Sequence, residues 1–259
     1  VTNELGDLID IVCTINEANL TACFAHSFQS YPENGMKAIM PFIKEAAEEC
    51  GSTLENFGPF LFGHPFKIRD CMMEAHVKSV PIIKSILNNN QPVGVTLSIM
   101  DYQAAEGGEK VRDQAYAESV DCCLDQVTND DFVGVQMYTR HTYGPDGIIK
   151  PKADDPNMLV MGYEYYPESL ENVVRYVSSK VKTPIMITEN GIGTDDDNQR
   201  IEYLTTALQG LQKCLDDGID VRGYFCWSLL DNFEWLFGYK PRFGLVEVNR
   251  ETLDRTAKE

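Results

Sequence analysis

Five short, largely apolar runs alternate with longer amphipathic stretches along this chain, and that alternation limits its possible folds more than any other feature. The runs are Ile9 to Ile15, Val93 to Met100, Phe132 to Met137, Pro184 to Thr188 and Val221 to Trp227. Each has the length of a strand, and near-continuous apolar character marks strands buried on both faces of a parallel sheet. Between them, Met36 to Glu49, Cys71 to Asn88, Lys110 to Val127, Pro167 to Val181 and Gln199 to Asp217 carry apolar residues at three- and four-residue spacing. That periodicity predicts helices with one buried stripe. Gly51, Gly191 and Gly218 fall where elements should break, and Asn88-Asn89-Asn90 before Gln91-Pro92 closes the second helix. The alternation predicts a parallel sheet with helices packed outside it, either an open doubly wound sheet or part of a (β/α)8 barrel. No GxGxxG or GxxxxGK[ST] loop follows the first strand, so the barrel is preferred. The segments Phe57 to Asp70 and Thr139 to Glu168 read as loops, the second long enough to serve as a lid or binding surface. No linker or repeat divides the chain, and residues 1–259 read as a single domain.

Charge and cysteine usage narrow the function. The net charge of −18, from 22 basic against 40 acidic residues, excludes nucleic acid as an expected partner, because phosphate binding is driven by Lys and Arg. No apolar run approaches the roughly 20 residues that a bilayer requires, so no membrane partner is expected. The eight cysteines include no CxxC pair and no Cys/His zinc spacing, and His26, His64, His76 and His141 show no metal spacing either. No metal or cofactor is expected, and His76, inside a helical pattern, reads as structural. Cys13, Cys214 and Cys226 lie in apolar runs as free thiols would, which favours a reducing, cytoplasmic setting. The run Thr194 to Asn198 reads as an acidic helix N-terminus and not as a cation loop. The sequon Asn19-Leu20-Thr21 reads as chance.

Two carboxylates occupy the positions where barrel chemistry is done, at the C-terminal mouths of buried strands. Glu17 ends the first apolar run and Glu189 ends the fourth, in Ile187-Thr188-Glu189-Asn190-Gly191. Each has an asparagine beside it, Asn16 and Asn190, that could hydrogen-bond hydroxyl groups. Some forty residues further on lies the aromatic and acidic stretch Trp227-Ser228-Leu229-Leu230-Asp231-Asn232-Phe233-Glu234-Trp235. Paired strand-end carboxylates beside an aromatic wall suit the hydrolysis of a glycosidic bond, in which one carboxyl donates a proton and the other attacks or activates water.

Thr14-Ile15-Asn16-Glu17, Ile187 to Gly191 and Trp227 to Trp235 resemble, in order and rough spacing, the three signature segments of glycoside hydrolase family 1, the β-glucosidase family. Asp131 to Val135, Gly223-Tyr224, Arg242 to Val246 and Arg255-Thr256 extend the resemblance from end to end. It implies a (β/α)8 TIM barrel of which this chain supplies strands 4 to 8, an incomplete barrel. It implies a retaining β-glycosidase, most simply a β-glucosidase, acting on small O-linked β-glycosides or oligosaccharides. Glu17 would be the acid/base, Glu189 the nucleophile and Tyr138 the hydroxyl that supports the nucleophile. Asn16, Gln136, Trp227, Glu234, Trp235 and Phe243 would bind the sugar, with Gln136 where many members carry asparagine. Glu234 disfavours phosphorylated sugars, and Glu17 in place of glutamine disfavours thioglucosides. Ala18 replaces the proline that usually follows the acid/base, which is expected to loosen that turn. The family's first three βα units supply a Gln, an Arg beside the nucleophile and a His that holds the sugar, and none has a counterpart here. The expectation is therefore a piece completed by a missing N-terminal segment or by another chain, with little turnover alone. The rival reading is a non-catalytic carbohydrate-binding or partner-completed remnant of the fold.

Overall fold

The computed structural model describes residues 1–27, 33–58, 63–87, 90–152 and 155–259, apart from the side chains of residue 27 and residues 33–39. In chain order the first elements are α1 (Thr2–Leu5), β1 (Val12–Cys13), α2 (Leu20–Ser27), α3 (Glu33–Glu49), α4 (Pro65–Ile86), β2 (Val93–Ser98) and β3 (Asp101–Ala104). There follow α5 (Glu109–Tyr116), a π-turn over Ala117–Asp121, α6 (Cys122–Leu124), β4 (Phe132–Met137), β5 (Arg140–Gly144) and β6 (Gly147–Ile148). The chain ends with α7 (Ser169–Lys180), β7 (Ile185–Asn190), α8 (Asp197–Asp216), β8 (Val221–Cys226), β9 (Val246–Val248) and β10 (Arg255–Ala257).

The five expected strands form one parallel sheet in the order β1-β2-β4-β7-β8, which curls as an incomplete (β/α)8 barrel. Every residue of β2 and β4 is buried, as the apolar sequences of central strands require. The sheet's flanks differ. β1 pairs with β2 through Val12 and Cys13, with hydrogen bonds continuing to Thr14 and Ile15, so the regular strand is shorter than the Ile9 to Ile15 run. β8, at the other flank, leaves Phe225 54% exposed, and Leu229, Phe233 and Leu236 beyond it are exposed as well. Apolar surface at an unclosed edge is what a barrel lacking neighbouring strands presents.

Helices cover the outer face. Val173, Val174 and Val177 of α7 and Tyr203 and Ala207 of α8 are buried in the same core as the sheet, as their three- and four-residue spacing predicts. Asp196 caps α8, its carboxylate accepting from the Asn198 and Gln199 amides, so the acidic run is a helix start as expected. Gly218 follows that helix at φ +81°, a conformation glycine adopts without strain.

Several expectations are corrected. The segment Thr139 to Glu168 is not all loop: β5 pairs in parallel with β3 and antiparallel with β6, a small sheet built from polar and aromatic residues without an apolar run to announce it. Phe57 to Asp70 contains the start of α4, where His64 accepts from the Lys67 amide and Pro65 occupies the first turn, a start signal passed over. Residues 59–62 of that segment, and the Asn88-Asn89 stop, lie outside the described residues. The helix expected over Lys110 to Val127 is broken by the π-turn, and α2 has no counterpart among the expected helices.

His76 is structural, as its helical setting suggests. Fully buried on α4, it bonds through Nδ1 to the Thr14 hydroxyl at 2.8 Å, tying the helix to the end of β1, and brings Nε2 within 2.9 Å of Asp130 Oδ2 in the turn before β4. His76→Ala would strand Asp130 in the interior, and a loss of about 3 kcal/mol in unfolding free energy is expected. A urea midpoint unchanged by the substitution would show that this tie does not hold the two elements together.

Candidate active site

The parallel register brings the candidate residues to one edge of the sheet. In the ladder Gln136 of β4 lies opposite Ser98 of β2 on one side and Glu189 of β7 on the other, with a register shift between Val135 and Gln136. From this central place the Gln136 amide nitrogen donates to Glu189 Oε1 at 2.7 Å and to Asn16 Oδ1 at 2.8 Å. The long side chain of Gln136 thus spans from the β1 end to the β7 end. Its own Oε1 is buried without a hydrogen-bond partner among the described residues.

Glu189 accepts a second hydrogen bond, from the Tyr138 hydroxyl to Oε2 at 2.5 Å. Tyr138 meets the edge of the Phe243 ring, 6.0 Å between centroids, and Phe243 is itself buried. Burial pushes the Glu189 carboxyl above its ordinary range; the Tyr138 hydroxyl pulls it down, and the charge of Glu234 raises it. No lysine or arginine pairs with Glu189 among the described residues.

Glu17 is set differently. It stands at φ +49°, a left-handed conformation uncommon for a residue other than glycine. Its amide donates to Thr96 Oγ1 at 3.0 Å, and the Ala18 amide donates to the Thr96 carbonyl at 3.2 Å. A proline could not make that second bond, so alanine after Glu17 ties the turn to β2, contrary to the expected loosening. Burial pushes the Glu17 carboxyl up to about 7; the Glu189 charge adds to the rise, and a hydrogen bond from Ser98 opposes it. The two carboxyls are thus close enough to feel each other, and Glu17 is the one biased toward its protonated form.

Trp227, following β8, donates its indole N–H to Glu234 Oε1 at 3.0 Å, and Asn232 donates to the same oxygen at 2.7 Å. Gly191 permits this: a Cβ there would stand 1.9 Å from the Trp227 carbonyl oxygen, so β7 and the Trp227 segment approach only because residue 191 has no side chain. Trp235 is not brought into the cluster. Its side chain is 82% exposed, and no hydrogen bond or ring contact joins it to the other site residues among those described.

Asn190 does not serve as a ligand group. It is fully buried, donating to the Met137 carbonyl and the Tyr203 hydroxyl and accepting from the Tyr224 hydroxyl. Asn19 is likewise committed: its amide nitrogen donates to the Ser98 and Ser119 carbonyls, and its oxygen accepts from the Ser98 amide, all at 2.8 Å. A buried, fully bonded asparagine cannot be glycosylated in the folded chain, so the sequon is chance. Thr96, Ser98 and Asn19 hold the Glu17 turn, and sequence reading passed over all three. The signal available for Thr96 and Ser98 was their place inside an apolar strand, where a hydroxyl must find a partner.

The sequence profile of glycosyl hydrolase family 1 matches residues 128–259. The bifunctional β-D-glucosidase/β-D-fucosidase of Bifidobacterium breve is 42% identical over 113 residues, 38% of this chain and 25% of its own length. β-Glucosidase A of Thermotoga maritima is 36% identical over 143 residues, 50% of this chain and 32% of its own. A solved β-glycosidase superposes with a TM-score of 0.87 at 39% identity, over 99% of this chain and 61% of that one. The apo structure of a β-glucosidase gives 0.85 at 33%, over 99% and 62%. The chain therefore spans about three-fifths of those solved chains. With a matching profile over its C-terminal half and this fold along its whole length, the chain belongs to glycosyl hydrolase family 1.

Proposed function

We propose that this chain carries the two catalytic carboxylates of a retaining β-glycosidase whose substrates are unphosphorylated O-linked β-glucosides. The observation that carries the reading is the asymmetry between two neighbouring carboxyls at one sheet mouth. Glu17, pushed up to about 7, is suited to hold a proton until the leaving oxygen takes it. Glu189 receives hydrogen bonds from Tyr138 and Gln136, which favour its ionised form as attacking group. In the first step Glu189 attacks the anomeric carbon while Glu17 protonates the departing oxygen. In the second, Glu17 takes a proton from water, which displaces Glu189. Glu234 is near enough to act on Glu189 through its charge, and a sugar phosphate beside it would be repelled. The glucoside and galactoside names borne by relatives are consistent with this substrate class.

One observation favours a second reading for the chain acting alone, that of a partner-completed or binding-only piece. Burial leaves Glu189 above its ordinary range, no cation pairs with it among the described residues, and apolar groups stand exposed beside β8. Turnover of an aryl β-glucoside by the 259-residue chain alone, abolished by Glu189→Gln, would exclude that reading; none is expected.

The role assignment is tested on the native protein that carries these residues. Glu17→Gln is expected to lower kcat/KM on a phenyl β-glucoside by about 10²- to 10⁴-fold, yet far less on a dinitrophenyl β-glucoside, whose phenolate departs without a proton. Glu189→Gln should disable both substrates. Equal losses on the two substrates for Glu17→Gln would remove it from the acid role.

The raised Glu17 value also has a consequence for stability. Its folded pKa of about 7 exceeds the ordinary 4.5, so the folded chain holds the proton more tightly than the unfolded chain. The stability this contributes is fully present below about 4.5 and is lost as the pH rises through about 7. Glu17→Gln, neutral at every pH, should match the parent in urea melts at pH 4 and exceed it at pH 8. Parallel curves for the two proteins would contradict the raised value.

A further inference from the structure

Behind the strand that carries Glu189, a second set of polar side chains meets on the helix side of the sheet. Successive residues of a strand point opposite ways, so Asn190 turns away from the site while Glu189 turns toward it. There Asn190 meets Tyr203 of α8, a side chain with no exposed surface. The Tyr203 hydroxyl donates to the Tyr138 carbonyl at 2.8 Å and accepts from Asn190 Nδ2 at 3.2 Å. The same nitrogen donates to the Met137 carbonyl at 2.9 Å, and Asn190 Oδ1 accepts from the Tyr224 hydroxyl of β8 at 2.9 Å. Burial pushes the Tyr203 hydroxyl above its ordinary range, so it keeps its proton and its donor role.

These bonds fall where the ladder is irregular. The pairing of β7 with β4 shifts between Val135 and Gln136, and its pairing with β8 shifts between Ile187 and Asn190. A shift of register disrupts the backbone ladder locally. At that level the side chains of Asn190, Tyr203 and Tyr224 join the ends of β4, β7 and β8. Tyr138 is thereby held at two points: its carbonyl is fixed from behind by Tyr203, and its hydroxyl reaches forward to Glu189 Oε2 at 2.5 Å.

We propose that Tyr203 is a positioning residue for the nucleophile, acting through Tyr138: its bond to the Tyr138 carbonyl sets the aim of the Tyr138 hydroxyl at Glu189. The inference rests on the assignment of Glu189 as the attacking carboxylate and of Tyr138 as its support. Without the Tyr203 hydroxyl, the Tyr138 carbonyl and one N–H of Asn190 lose their partner in a buried setting, and the strand end must shift to recover one. A displaced Tyr138 then loosens the hydrogen bond that pulls the Glu189 carboxyl down. The other groups that face Glu189 are Gln136 of β4, Glu234 after β8 and Glu17 after β1, and none of them is hydrogen-bonded to Tyr203 among the described residues.

The test uses the native protein that carries these residues, with a nitrophenyl β-glucoside, and compares Tyr203→Phe, Tyr138→Phe and the double variant. Tyr203→Phe keeps the ring and its edge contact with Tyr165 and removes only the hydroxyl. It is expected to lower kcat/KM roughly tenfold, within the hundredfold that a misplacement of about 1 Å can cost. The acid limb of the kcat/KM profile, which follows the ionisation of Glu189, should move to higher pH, as it should for Tyr138→Phe. In the Tyr138→Phe background the same substitution should change kcat/KM by no more than about twofold, since the hydroxyl it positions is gone. If Tyr203→Phe fails to fold, Tyr224→Phe, which frees Asn190 from β8, is read in the same ways. No effect from Tyr138→Phe itself would remove the support role on which the inference rests, and the inference with it. With that role intact, an unchanged kcat/KM and acid limb in Tyr203→Phe, or a loss that multiplies in full with that of Tyr138→Phe, would overturn the proposal.

Discussion

The parallel register of β2, β4 and β7 is the constraint on which the candidate site depends. It sets Gln136 between Ser98 and Glu189, and from there one amide nitrogen joins Glu189 to Asn16, the neighbour of Glu17. A slip of one residue would turn Gln136 toward the opposite face and break both bonds, because side chains alternate along a strand. The shift between Val135 and Gln136 adjusts the ladder just where the polar residues begin.

Around that register the sheet changes character over a few residues. Below the shift, Val133, Val135, Ile185 and Ile187 pack into the core, with the buried Thr96 level with Gly134; above it, Ser98, Gln136 and Asn190 are polar and buried. Such groups are tolerated inside when they are hydrogen-bonded, and here they hold one another: Thr96 the Glu17 turn, Ser98 the Asn19 amide, Asn190 the Tyr203 and Tyr224 hydroxyls. The carboxyls bear the cost of this partly dry setting, both lying above their ordinary range. Burial is the largest cause for both; beyond it, Glu17 faces the charge of Glu189 against a hydrogen bond from Ser98, while Glu189 faces the charge of Glu234 against the hydrogen bond from Tyr138.

The central strands were legible in the sequence because burial on both faces makes them apolar throughout, and β4 coincides with its apolar run. The flanking strand β1 was legible only in part, because its regular pairing with β2 covers only Val12 and Cys13 of the apolar run. The sheet of β3, β5 and β6 was not legible, because polar and aromatic segments pair there through tertiary contact and not through periodicity. At the site, Glu17, Glu189, Tyr138, Gln136, Asn16, Trp227, Glu234 and Phe243 follow from strand ends and motif. Asn190 was misread, because sequence does not show that three buried partners already occupy its amide. Trp235 lies outside the cluster, at φ +49° on a short turn whose orientation no residue pattern announces.

The measurement that bears most directly on the proposed chemistry is covalent trapping on the native protein that carries these residues, with 2-deoxy-2-fluoro-β-glucosyl fluoride as the probe. The account predicts one fluoroglucosyl group per chain, attached to Glu189 on peptide mapping and absent from Glu189→Gln. Attachment to any other residue, or sugar binding without a covalent adduct, would contradict it.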